Sequence, residues 1–418
     1  MSAAAIRISF GDVRKKRIVT PNHFVSHMLE HISWRMGLSV EVDWKDDDWR
    51  ALGRAFGVQV AQFHPQANDS AALGMIDDGS AVVAVRRGTP KVEFQTVAGI
   101  DRDWFVGLRC EQVESGRPLL DLFEGLSEGL NATLSVEVWT VEDAHHTWEG
   151  IYRALGIALG RIYCPLEPFT AARAELKSCI TVDTRVGTGA LEVTECGPQV
   201  AAVRRHTAET KISARVDFSS GDAVALRLNV DESIEPCVHD LERLLAMFSF
   251  GLGAKIDIDF EATTLSSSHV VMEDIGLVVG RALLEVLKLR MELLGVNAAG
   301  STVRTLADLS KNVRVGVSVE GRKFWRLVPR DGNAVRFKQA FLLGQNVGKG
   351  LRSEDLDDFI DGLAGGMSAS LMIHVSDYSN PDAGWREIFR SLGDAFSEAF
   401  DVNPFRRGVP PGVKATLV

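Results

Sequence analysis

Apolar and polar positions along this chain follow two periods. Four short stretches alternate strictly: LSVEVDW, ATLSVEVWT, AKIDIDFEA and ASLMIHVSD. Alternation of period two sends successive side chains to opposite faces, so each stretch predicts a strand with one buried face. Before each comes a stretch whose apolar residues return every three or four positions: HFVSHMLEHISWRMG, LLDLFEGLSEGL, VHDLERLLAMFSFG and DLDDFIDGLAGGM. These predict amphipathic helices.

A second helical stretch follows each strand, and the four resemble one another: DDDWRALGRAFG (46–57), HHTWEGIYRALG (145–156), HVVMEDIGLVVG (269–280) and DAGWREIFRSLG (382–393). Each ends in Gly after two turns. Three carry Trp at the fourth position: Trp49, Trp148 and Trp385. Such internal recurrence decides the architecture before any single motif does. The unit is helix, strand, loop, helix, with further strands such as SAVVAVRR and VRVGVSVEG between units. An α+β fold of four repeated half-units follows, with helices on one face of a sheet. A weakly periodic stretch around 165–200 reads as a linker, so the halves are 1–195 and 196–418.

Composition narrows the partners. The 418 residues, 45% hydrophobic and 24% charged, suffice for two sizeable cores. A net charge of −10 argues against nucleic acid and anionic membrane as main partners, since both reward a basic surface. No apolar run approaches the roughly 20 residues that span a bilayer, and the N-terminus carries no signal-type apolar segment. Five cysteines without a CxxC spacing read as reduced thiols, so a cytoplasmic protein is expected.

The related segments also carry candidate chemistry. Residues four apart share a helix face, which pairs His145 with Glu149, beside His146, and His269 with Glu273. Imidazole and carboxylate together suit Mn, Zn, Fe or a similar divalent ion. His239, on the preceding helix, is a further candidate. A lone His near a helix start is more often a cap or a surface residue than a ligand, but histidines falling in repeat register are harder to dismiss. Segments one and four carry Asp46 with Arg50 and Asp382 with Arg386 at these positions, which read as i,i+4 ion pairs. His23, His27 and His31 also lie four apart on the first helix. That spacing admits a separate metal patch, but Met28, Leu29 and Ile32 imply a core-facing helix with the histidines on its flank, and the flank reading is preferred.

These residues resemble the imidazoleglycerol-phosphate dehydratase family. SHVVMEDIGLVVGRALLEVL (268–287) is similar to that family's first-half DHHTVEDIGIVLG segment, and AHHTWEGIYRALGIALGRI (144–162) to its second-half helix. VRRHTAETKISARV (203–216) is similar to its RxTxET start, HMLEHISWRMG (27–37) and CVHDLERLLAMFSFG (237–251) to its first-half helix, and LADLSKNV (306–313) to a worn DLSGRP. The resemblance implies two dehydratase-like copies in tandem, each of ribosomal protein S5 domain 2-like fold, and a metal-dependent hydro-lyase. It implies a composite Mn site in which His239, His269 and Glu273 of copy two meet His145, His146 and Glu149 of copy one. Asp121 stands where a further His of the family belongs.

By the same resemblance Glu209 is the general acid/base, Arg153 replaces the family's Lys as a phosphate contact, the substrate is a small phosphorylated molecule, and the protein is a homo-oligomer. Some positions depart from the pattern. Val270 replaces a ligand His, the phosphate-holding Arg residues have no counterpart near Gly295 and Asn312, and only Lys414 echoes the family's C-terminal Lys. These departures leave two alternatives open: a related metal lyase on another small substrate, and a non-catalytic paralogue with a structural or regulatory role.

Overall fold

The computed structural model describes residues 5–97, 99–165, 189–262, 267–410 and 412. Most of the expected linker and Lys414 lie outside them.

The elements fall into four groups. The first is β1 (Ala5–Phe10), β2 (Lys16–Val19), α1 (His23–Met36), β3 (Leu38–Asp43) and α2 (Trp49–Ala61). The second is β4 (Asp69–Ile76), β5 (Gly79–Arg87), β6 (Lys91–Thr96), α3 (Arg102–Gly107), α4 (Arg117–Leu130), β7 (Ala132–Val138) and α5 (Ala144–Tyr163). The third is β8 (Leu191–Cys196), β9 (Val200–His206), β10 (Thr210–Asp217), β11 (Ala223–Asn229), α6 (Glu235–Val238), α7 (Leu241–Leu252), β12 (Lys255–Ala262) and α8 (Ser268–Leu293). The fourth is β13 (Ala299–Ser301), β14 (Val313–Val319), β15 (Phe324–Pro329), α9 (Ala334–Phe337), β16 (Asn346–Val347), β17 (Leu351–Arg352), α10 (Ser353–Met367), β18 (Ala369–Val375) and α11 (Pro381–Ala399).

One pairing scheme recurs in all four groups. The strand after the first long helix lies between an antiparallel neighbour and a parallel one: β3 between β1 and β2, β7 between β5 and β6, β12 between β10 and β11, β18 between β14 and β15. Each parallel pair is joined through a helix, the connection parallel strands require. Sheets are extended by β4 beside β5, by β9 and β8 beside β10, and by β13 beside β14.

The helices of neighbouring groups pack in pairs: α1 with α5, α2 with α4, α7 with α11, and α8 with α10. Glycines let the backbones approach. A Cβ on Gly53 of α2 would lie 2.1 Å from the Leu122 carbonyl oxygen of α4, and one on Gly276 of α8 would lie 2.3 Å from that of Phe359 on α10. One apolar core joins the first two groups and another the last two.

The two sheets of groups two and four stack face to face. Leu73, Ala71, Val82 and Ala84 pack with Val303, and Met75 and Trp139 with Val328 and Met372. Leu73 N–H also donates to Ser301 Oγ at 2.9 Å. Covered on both sides, β14 and β18 are buried along their whole length, as strands between two layers are. β3 instead keeps the alternation of a strand with one open face.

Segment one departs from expectation. Its helix begins at Trp49, with Asp48 as N-cap accepting from Ala51 N–H. Asp46 therefore precedes the helix and is no i,i+4 partner for Arg50, whose guanidinium bonds Glu128 and Glu124 on α4 instead. In segment four the Asp382–Arg386 pair is present. Among the described residues no helix is long and apolar enough to cross a membrane.

Candidate metal centre between α1 and α5

α1 and α5 lie side by side and run in the same direction: His27 meets Glu149 near their beginnings, and Gly156 approaches Ile32 one to two turns later. Asn22 caps α1, accepting from Phe24 and Val25 N–H groups, and Asp143 caps α5, accepting from His145 N–H at 2.7 Å and His146 N–H at 3.2 Å. The caps set the helix starts, and the starts place the first-turn imidazoles.

Glu149 is the centre of the arrangement. Its side chain is 0% exposed. Its Oε1 lies 2.8 Å from His27 Nε2, 3.1 Å from His145 Nε2 and 3.3 Å from His31 Nε2. Burial by itself raises the carboxyl pKa, but the contacts from His145, His27 and His31 outweigh it and hold Glu149 well below the usual carboxylate range. Burial, with the Arg153 charge behind it, pushes the His31 imidazole down to about 3. The His31 Nε2 atom is buried and is not aligned for a hydrogen bond.

The outward nitrogens supply the second half of the pattern. His27 Nδ1 lies 2.9 Å from Glu30 Oε2, and His145 Nδ1 lies 3.1 Å from Glu111 Oε1. At His27 the hydrogen bond from Nδ1 to a carboxylate leaves the Nε2 lone pair pointing inward, as in metal-ligating histidines; Glu111 lies near His145 Nδ1 without hydrogen-bond geometry. Tetrahedral bonds of about 2.1 Å would separate ligand atoms by about 3.4 Å, close to the spacings around Oε1. His27, His31 and Glu149 thus form a group able to hold an ion, with His145 beside them. His27 is 19% and His145 16% exposed, while Glu149 and His31 are closed off, so the centre opens on one side.

Other expected site residues fall elsewhere. His146 turns away from the centre, its Nδ1 2.6 Å from Asp78 Oδ1 in the β4–β5 turn. His269 and Glu273 face α10 rather than α5: His269 Nδ1 lies 2.6 Å from Asp358 Oδ2, and both residues are about half exposed, 53% and 48%. The Asp358 contact raises the His269 pKa. His239 is exposed at the junction of α6 and α7. Glu209 is exposed in the β9–β10 turn, beside Thr210, whose hydroxyl donates to Asp274 on α8. Asp121 pairs with Arg117 on its own helix. The expected composite of segments two and three is therefore not assembled within one chain.

Arg153 also has a different place from the one expected. It is buried against Glu320, which follows β14, and Glu320 binds Arg35 of α1 at 2.6 Å as well. Burial alone would raise the Glu320 carboxyl, but the Arg153 and Arg35 charges hold it well below its ordinary range. A guanidinium so enclosed is not presented to a substrate phosphate. Its role is to bind the base of α5 to the second half of the chain.

The equivalent helix pair, α7 and α11, shows the centre replaced. With Trp148 and Trp385 in register, Asp382 stands at the position of His145 and Arg386 at that of Glu149. Arg386 and Arg243 both bind Asp382, the latter at 3.3 Å, and Gly348 N–H donates to it at 3.0 Å. Guanidinium groups and a loop occupy the position that the α1–α5 pair gives to imidazoles around a carboxylate.

The convergence of His27 and His31 on Glu149 is not legible from their spacing, although that spacing is visible in the sequence. Met28, Leu29 and Ile32 do face the core, but the flank holding the histidines is where α5 packs. Glu30 stands three residues after His27 on the same helix face, a spacing the sequence shows, whereas Glu111 carries no spacing signal.

Comparisons with known proteins agree on one relationship. No family model matches the chain. It is 35% identical over 85 residues to the imidazoleglycerol-phosphate dehydratase of Staphylococcus carnosus, a match covering 20% of this chain and 40% of that protein's length. It is 26% identical over 208 residues to that of Chlorobium luteolum, covering 50% of this chain and 92% of the relative. Among solved structures, imidazoleglycerol-phosphate dehydratase from Staphylococcus aureus aligns over 49% of this chain and 99% of its own, at 19% identity and a TM-score of 0.35. The chain resembles imidazoleglycerol-phosphate dehydratases, and half of it corresponds to nearly the whole length of one such relative.

Proposed function

We propose that the protein is a metal-dependent hydro-lyase of the imidazoleglycerol-phosphate dehydratase kind. In this reading it is built as two dehydratase-length copies (1–195 and 196–418) of ribosomal protein S5 domain 2-like fold, with its metal between α1 and α5. The observation that carries the proposal is Glu149, buried where the Nε2 atoms of His27, His31 and His145 converge. Two nitrogen donors and one oxygen within 4.8 Å of one another, with His145 Nε2 beside them, suit a divalent ion of the Mn, Fe or Zn type, and the resemblance favours Mn. Such an ion, when bound, stabilises negative charge developing on a substrate.

The chain's own residues do the rest. Glu30 orients His27, the burial of His31 and Glu149 keeps water from the inner side, and a ligand would approach from the partly exposed side at His27 and His145. The general acid/base role of Glu209, and any ligation by His239, His269 or Glu273, requires a neighbouring chain, because these groups lie on another surface of their own chain. A homo-oligomer is therefore part of the proposal.

A second reading has its own support. Arg153 is engaged by Glu320 and Asp121 by Arg117, so the groups expected to recognise phosphate and complete the metal shell are committed elsewhere. This favours a metal lyase acting on a different small substrate.

Elemental analysis of the purified protein, followed by a Mn-dependent assay of imidazoleglycerol phosphate dehydration, separates the readings. About one equivalent of metal per chain is expected, lost in Glu149→Gln and retained in His269→Ala; Glu30→Gln should weaken binding ~10–100-fold. Turnover by the loaded protein supports the first reading, and bound metal without turnover supports the second. Failure to bind Mn, Zn or Fe on titration overturns both.

A further inference from the structure

The metal centre stands on a charged floor. α1 carries His27, His31 and Arg35, and α5 carries His145, Glu149 and Arg153, each set spaced by four and so on one helix face. His27 meets Glu149 and the helices run the same way, so four residues further on His31 comes level with Arg153. The next level holds Arg35, since a Cβ on Gly156 would lie 2.8 Å from Arg35 Cβ. A step of four residues is about 6 Å along a helix. Two buried guanidiniums therefore stand one and two steps below the point where Glu149 gathers the imidazoles.

One carboxylate from the second half of the chain meets both. Glu320 Oε1 accepts from Arg35 Nη2 at 2.6 Å and from Arg153 Nη1, and its Oε2 accepts from Arg153 Nη2 at 3.2 Å. Ser318 Oγ donates to the same Oε1 at 2.7 Å. Glu320 is buried too, so water screens little of this contact. The other hydrogen bonds of the two guanidiniums go to neutral groups, the Met75 carbonyl for Arg153 and the Ser318 hydroxyl for Arg35.

The helix pair α7 and α11 provides the contrast. With Trp148 and Trp385 in register, Arg390 stands at the position of Arg153. Its side chain is 46% exposed and pairs with Asp394 of its own helix at 3.2 Å. Where the imidazoles around a carboxylate are replaced, the arginine one step below lies at the surface and takes its counter-charge locally. The buried arginine with an acid from the other half accompanies the metal centre.

A bound dication and a buried guanidinium repel each other, and in a poorly screened interior the repulsion extends over one or two helical turns. A carboxylate held on the guanidinium cancels most of it. We propose that Glu320 is a positioning residue of the metal centre, acting through Arg153: it holds and neutralises the guanidinium below His31, so that a cation can be bound above. This rests on the metal reading of the α1–α5 centre. The second half of the chain thereby takes part in a centre whose ligands all come from the first, and ion binding is linked to the junction of the halves.

Calorimetric titration of the full chain with Mn and with Zn, together with the rise in Tm that each ion gives, tests this without an activity assay. Glu320→Gln keeps the shape of the side chain and removes its charge. It should weaken metal binding by about tenfold or more and shrink the rise in Tm. Loss of a buried partner also destabilises the fold, so a second variant acts in the opposite direction. Arg153→Met removes the guanidinium and leaves Glu320 with Arg35; it should tighten metal binding by about threefold or more. A merely structural role for the pair would weaken binding in both variants. Unchanged affinity in Glu320→Gln, or unchanged or weaker binding in Arg153→Met, overturns the proposal and leaves the metal reading standing. A wild-type chain that binds neither ion overturns both.

Discussion

Single residues show most directly how this chain divides its chemistry between two equivalent places. At one helix pair Glu149 gathers His27, His31 and His145; at the other, Asp382 gathers Arg243 and Arg386. Both solutions place a carboxylate among nitrogen donors, but only imidazole nitrogens have lone pairs for a cation. His374 illustrates the opposite case, a histidine buried for packing. It is stacked on Trp139 at 4.4 Å, with Ser80 Oγ 3.2 Å from its Nε2. Burial and the nearby Arg314 charge push its pKa down to about 3.

The folded protein thus keeps His374 neutral where the unfolded chain, with an ordinary pKa near 6.5, takes up a proton. Because the unfolded state binds more protons, stability should fall as pH drops from about 6.5 toward 3, by about 1.4 kcal/mol per pH unit for this one group. Urea denaturation between pH 7 and 4 should therefore show a shallower loss in His374→Gln than in the wild type. Equal slopes would sink the assignment.

At the scale of elements, the helix pairs depend on small residues in a way the hydrophobic pattern does not reveal. Gly53 and Gly57 face Gly125 and Gly129, and Gly276 and Gly280 face Gly362 and Gly366. Each spacing of four places both glycines of a helix on one side, where a neighbouring backbone comes within reach. Gly276→Val should cost about 3 kcal/mol, at the upper end of overpacking penalties, since the added Cβ meets the Phe359 carbonyl. Gly107, which has open space where a Cβ would go, provides the control: Gly107→Ala should shift the urea midpoint little. A Gly276→Val midpoint equal to the wild type's would mean that α8 and α10 are not in close contact.

The type and order of these elements were legible in the sequence, because hydrophobic period is a local property. All four helix-before-strand stretches are helices, and all four alternating stretches are strands. The start of α2 was misplaced by three residues because Asp46, Asp47 and Asp48 all suit an N-cap, and only Asp48 accepts from the first turn.

At the scale of the whole molecule, the stacked sheets of groups two and four join the halves. Ala71, Leu73, Met75 and Trp139 of one sheet are covered only because Val303, Val328 and Met372 of the other lie against them. Polar contacts cross the same junction, including Arg314 with Glu137 at 2.7 Å and Arg153 with Glu320. Produced separately, 1–165 and 189–418 would each expose this apolar face, and patches of that kind drive association. Each fragment alone should self-associate in gel filtration, whereas the two co-expressed should elute as one complex. Monodisperse, monomeric fragments would show that the stacking is dispensable.

The sequence by itself determined the four-part recurrence, the α+β character and the HHxxE face of α5, because i,i+4 spacing and repeat register are properties of neighbours along the chain. Which face meets that one was decided by the tertiary structure. Sequence register offered segment three as the mate of Glu149, but spacing on a helix says what shares a face and nothing about what lies opposite. The close approach of α5 to α1 brings His27 and His31 to Glu149, while the packing of α8 on α10 gives His269 to Asp358. The burial of Arg153 against Glu320, a residue 167 positions away, had no local signature for the same reason.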